Sequence, residues 1–110
     1  MATPDPAALV EIMNRLWDRH LPEIEQRVAI LESAASAHAD GRLTTELCEH
    51  AHAASHKLAG VLGTFGLNEG TALAREAEAL YANGCLSAAP SEHASQLASR
   101  IRAIVASRAH

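Results

Sequence analysis

An all-helical bundle is the fold this sequence predicts, and three observations carry that reading. Hydrophobic residues make up 48% of the chain and much of that is alanine, while aromatics are only 3%: Trp17, Phe65 and Tyr81. An Ala- and Leu-rich chain with few aromatic and β-branched residues favours helices over strands. The apolar residues recur at three- and four-residue spacing, and the segments that carry them are joined by short connections with turn residues. Narrow stripes and short connections are the signature of an antiparallel up-and-down four-helix bundle. With a short N-terminal capping helix added, the 110 residues form a single domain, 1–110, large enough for one core without metal or disulfide staples.

Each element has its own start and stop. Asp5 can cap a helix and Pro6 suits its first turn. Leu9, Ile12, Met13, Leu16 and Trp17 follow at helical spacing. Pro22 then predicts a break, because proline disfavours helix at the residue before it. The capping helix should therefore end near His20 and the first long helix begin around Pro22. That second helix carries Ile24, Val28, Leu31, Ala35 and His38, and Asp40-Gly41 closes it. Thr44 caps a third helix running to about Thr64, with Leu43, Leu47, Ala51, Ala54, Leu58, Val61 or Leu62, and Phe65 as its stripe. Gly66 ends it and Asn68 can cap the next, which holds Leu73, Ala77, Leu80 and Tyr81 and stops at Asn83-Gly84. After a short loop, Pro90 opens a last helix bearing Ala94, Leu97, Ile101, Ile104 and Val105.

Charge and patterning exclude several classes of function. Nine Lys and Arg against thirteen Asp and Glu give a net charge of −4, and no basic block or stripe marks a nucleic-acid footprint. No segment approaches eighteen consecutive apolar residues, so nothing spans a membrane. The N-terminus lacks the basic and apolar regions of a signal peptide. Cys48 and Cys85 lie far apart without metal-type spacing and read as reduced thiols of a cytoplasmic protein. One apolar stripe per helix fits a monomer.

The chemistry concentrates in Ser55-His56-Lys57-Leu58-Ala59-Gly60-Val61-Leu62-Gly63-Thr64-Phe65-Gly66. Successive residues of a helix differ by ~100° in direction. On that arithmetic Leu47, Ala54, Leu58 and Phe65 cluster on one side and His56 falls about opposite, pointing to water. Glu49, His52, Gly60 and Gly63 share the His56 face. An exposed glycine inside a helix costs about 1 kcal/mol relative to alanine. Two of them beyond a solvent-facing histidine make sense if something must approach the helix beside the imidazole.

These residues resemble a known family. His56-Lys57-Leu58-Ala59-Gly60 followed by Leu62-Gly63-Thr64-Phe65-Gly66 looks like the motif of histidine-containing phosphotransfer (HPt) domains, and Ala72-Leu73-Ala74-Arg75-Glu76-Ala77-Glu78 looks like the helix that follows it there. The resemblance implies a phosphocarrier of a two-component multistep phosphorelay, not an enzyme with its own ATP site. His56 would accept a phosphoryl group from one receiver aspartate and pass it to another. The implied partners are response-regulator receiver domains and a hybrid histidine kinase. Imidazole, with an unperturbed pKa near 6.5, is substantially neutral and nucleophilic at pH 7. Phosphoryl transfer typically also needs Mg²⁺. This chain has no acidic cluster with metal-site spacing, so no cofactor is bound here and the receiver would supply the Mg²⁺. The family often has a lysine three residues after the histidine. Here that position is Ala59, which leaves charge support to Lys57. Ala53, Ala59, Thr64, Glu49 and His52 are candidate docking residues around the nucleophile.

Two other readings compete. His52 and His56, at i and i+4, can form half of a metal site, with Glu49 as a further ligand. A helical adaptor or inhibitor of a signalling kinase, taking no phosphoryl group, would use the same face. Arg75, Glu76 and Glu78 read as a solvated face, and the remaining histidines as structural or merely exposed.

Overall fold

The computed structural model describes residues 5–82 and 91–108, and among them the protein is four helices with no strand. These are α1 (Pro6–Ala39), α2 (Thr45–Thr64), α3 (Asn68–Leu80) and α4 (Ser91–Ser107). The expected ends have a visible physical basis. Asp5 Oδ1 accepts from the Ala8 amide at 2.9 Å, and Thr44 Oγ1 accepts from the Leu47 amide at 3.1 Å. Gly41 and Gly66 close α1 and α2 with φ of 70° and 73°, in the left-handed region where a side chain is strained. Asn68 is not a cap: α3 starts on it, and Leu67 precedes the helix without a side-chain cap. The Asn83-Gly84 turn and Pro90 lie outside the described residues.

The largest departure is at Pro22. In place of a separate capping helix and a first bundle helix there is one 34-residue helix with Pro22 inside it. An interior proline removes one helical hydrogen bond, at about 3 kcal/mol. Here Pro22 is exposed, and buried side chains on either side of it, Trp17 before and Ile24 and Val28 after, anchor both segments to the same core. Packing on both flanks outweighs the local break. At 1.5 Å per residue α1 is about 50 Å long, against about 30 Å for α2. Its first turns run beyond the other helices, so Leu9, Ile12 and Leu16 stay exposed rather than covering the bundle end.

The core contains Ile24, Val28 and Leu31 from α1, Ala51, Leu58 and Leu62 from α2, Leu73 and Ala77 from α3, and Leu97, Ile101 and Val105 from α4. Trp17 meets Phe65 edge to face at 5.2 Å, and the Arg108 guanidinium lies 5.3 Å from the Trp17 ring, which ties α1, α2 and the end of α4 together. Between α2 and α3 the approach is close. A Cβ on the buried Gly70 would meet Leu62 Cδ1 at 3.0 Å. The Thr71 hydroxyl reaches across to the Ala59 carbonyl at 3.0 Å.

Cys48 corrects a further expectation. It is buried and disulfide-bonded, not a reduced thiol. Its Sγ lies 3.6 Å from the Tyr81 carbonyl, because α3 ends beside the first turns of α2. Separation along the chain did not mean separation in space. The only other cysteine in the sequence, Cys85, lies outside the described residues.

Candidate functional site

His56 projects from the outer side of α2, its side chain 74% exposed. The reason is local. Leu58 and Leu62 pin one side of the helix into the core, and the residues about 180° away must face water. Its ring is nonetheless held. Nδ1 of His56 is 2.7 Å from Oε2 of Glu78, a carboxylate on α3 that is 26% exposed. His52, one turn earlier on α2, brings its Nε2 to 3.9 Å from the same oxygen. Glu78 is therefore not part of a solvated face; it is shared by two imidazoles.

This contact bears on which ring nitrogen carries the hydrogen. An ionised carboxylate only accepts hydrogen bonds, so Nδ1 of His56 carries the hydrogen. In the neutral ring the lone pair then resides on Nε2, away from Glu78. The carboxylate selects the tautomer and the ring orientation together, as a carboxylate bonded to the far nitrogen of a metal-bound histidine does.

The other expected site residues divide into three groups. Gly60 is open: a Cβ built there has nothing within 4 Å, which agrees with clearance beside the imidazole. Lys57, Glu49, Ala53 and Thr64 are exposed, and the Thr64 hydroxyl is turned back to the Gly60 carbonyl at 3.1 Å. Two residues do not fit the expectation. A Cβ on Gly63 would meet the Thr71 hydroxyl at 3.3 Å, so its bareness serves the approach of α3. Ala59 is only 7% exposed, facing α3, and so offers little surface to a docking partner. The metal reading also loses its geometry. The two histidines converge on Glu78, not Glu49, and among the described residues no three His, Cys, Asp or Glu side chains are grouped to hold a metal.

Sequence reasoning missed Glu78. The available signal was its spacing from Thr71 on α3, i and i+7, which puts both on one strip beside the core stripe. Nothing in the sequence says that this strip faces α2.

An exposed histidine with an oriented ring, on the second helix of a small bundle, agrees with the resemblance noted in the sequence. A family model of the Hpt domain matches residues 15–107. The chain belongs to the Hpt domain family. No curated protein and no solved structure matches it. Membership implies histidine phosphotransfer in a phosphorelay, with receiver domains and kinases as the interacting classes. Hpt domains are phosphocarriers, not kinases. No described helix of this Hpt domain is long and apolar enough to cross a membrane.

Proposed function

We propose that His56 is the phospho-accepting residue and that this Hpt domain relays phosphoryl groups between receiver aspartates. The single observation that carries the reading is the exposed imidazole whose Nδ1 is bound by Glu78 and whose Nε2 is left available. The Nε2 lone pair attacks the phosphorus of a receiver's aspartyl phosphate. The bond between phosphorus and the aspartate oxygen breaks, and the carboxylate leaves with the electron pair. The proton stays on Nδ1, where Glu78 faces the positive charge that develops on the ring. Return to a second receiver reverses these steps, so one exposed nitrogen serves donor and acceptor in turn.

The receiver, not this chain, holds the Mg²⁺ and supplies the aspartate, and a hybrid histidine kinase stands upstream. The scaffold is one domain over 1–110 with antiparallel helices. The order of contacts between α2 and α3, Leu62 with Gly70, Ala59 with Thr71 and His56 with Glu78, supports that arrangement. The module acts as a cytoplasmic monomer, where glutathione would act on the Cys48 disulfide.

Mixing the protein with a labelled phospho-receiver tests the reading. The expected product is acid-labile, alkali-stable label on wild type and none on His56→Gln. Label retained in His56→Gln would exclude His56 as the acceptor.

A further inference from the structure

Phosphoryl transfer concentrates negative charge on the moving group, and catalysis rests largely on neutralising it. Neither the position where the family often has lysine nor Lys57 is well placed for this. Ala59 has no charge and faces α3. Lys57 follows His56 directly, so it leaves the helix about 100° away, on the flank turned from α3. We infer that Arg75 of α3 is the cation that neutralises the phosphoryl group on His56.

The placement follows from two neighbours. Thr71, Arg75 and Glu78 stand at i, i+4 and i+7, a spacing that lines one strip of a helix. The two ends of that strip reach α2: Thr71 bonds the Ala59 carbonyl at 3.0 Å and Glu78 bonds His56 at 2.7 Å. Arg75 lies between them. Its level on α2 is therefore between His56 and Ala59, beside Gly60, where no atom lies within 4 Å of a built Cβ. Arg75 thus stands on α3 at about the level of the cleared space next to the imidazole.

Arg75 is also uncommitted. It is exposed and takes part in no hydrogen bond or ion pair among the described residues. Glu78, three residues on, could have paired with it but is turned to the two histidines instead. Three other exposed arginines are engaged, Arg15 with Glu11, Arg42 with Asp40 and Arg100 with Glu69, while Arg19 on α1 is not. A planar guanidinium offers phosphate two parallel N–H donors, which a lysine cannot.

The inference rests on His56 being the acceptor, and its test separates the two. Wild type, Arg75→Ala, Arg75→Lys and Lys57→Ala are charged with phosphoramidate, a small donor that needs no docking surface, and separately with a phospho-receiver. Phosphohistidine formation is followed by ³¹P NMR. Arg75→Ala should charge about tenfold more slowly with either donor, between the loss of an exposed ion pair and that of a buried oxyanion donor. Arg75→Lys should recover much of the rate, Lys57→Ala should match wild type, and all four should melt alike. Charging of Arg75→Ala at the wild-type rate, or the loss appearing in Lys57→Ala instead, would overturn the inference while leaving the relay intact. Wild type that charges from phosphoramidate yet exchanges with no receiver would contradict the relay and leave the Arg75 comparison standing.

Discussion

Of the carboxylates that bridge helices in this protein, Glu32 and Glu78 do different work. Glu32 of α1 holds Arg102 of α4 through two bonds of 2.6 and 2.8 Å, and each carboxylate oxygen has its own donor. The hydrogen bond from Arg102 keeps the Glu32 carboxyl below its ordinary range. The partner is a permanent cation with no chemistry of its own, so the pair can only fasten α1 to α4 beside the small residues Ala35 and Ala98. Glu78 of α3 holds a single nitrogen of His56, and its partner can change protonation state, tautomer and covalent state. The same acid type thus gives a clasp where its partner is a guanidinium and an oriented ring where its partner is an exposed imidazole. The difference lies in what is left over: Arg102 is used up by its contact, while His56 retains Nε2.

Substitutions at the two seams should separate accordingly. His56→Gln removes transfer entirely and leaves the melting temperature unchanged, because an exposed side chain contributes little to packing; label incorporation and a thermal melt check this together. Gly60→Gln should lower transfer about 100-fold by blocking approach to the ring. The same change should stabilise α2 by roughly half a kcal/mol, since glutamine is the better helix former. A slower variant that melts higher would show that the glycine serves the visitor, and unimpaired transfer would remove that role. Glu78→Ala should slow transfer about tenfold through loss of one charge-assisted hydrogen bond, with little change in stability. Glu32→Gln should do the reverse: full transfer, and a loss of stability of no more than about 1 kcal/mol because the pair is substantially exposed. Glu32 has its carboxyl lowered on folding, so its contribution is complete above its unfolded value of about 4.5 and disappears as pH falls through the folded one. Denaturant melts of wild type and Glu32→Gln should therefore differ at neutral pH and converge in acid.

The sequence was most legible where the cause is local. Caps at Asp5 and Thr44 and stops at Gly41 and Gly66 depend on a few neighbouring residues, and each is found in place. The direction of His56 followed from the helical repeat and the strong stripe opposite it. Reading failed where packing from afar decides. Pro22 carries a local penalty that the core offsets on both sides, which single-residue rules do not weigh. Gly63 and Ala59 were assigned to a visitor because helix direction alone does not reveal that α3 lies against them. Glu78 was misread for the same reason: its partners in space, His52 and His56, come from another element.

One nitrogen of one residue carries the relay, and NMR of the ¹⁵N-histidine-labelled, phosphorylated protein reads it directly. Phosphorus should couple to Nε2 of His56, with a hydrogen on Nδ1 that is lost from its bonded position in Glu78→Ala. Phosphorus on Nδ1 of His56, on His52 or on any other residue would contradict it.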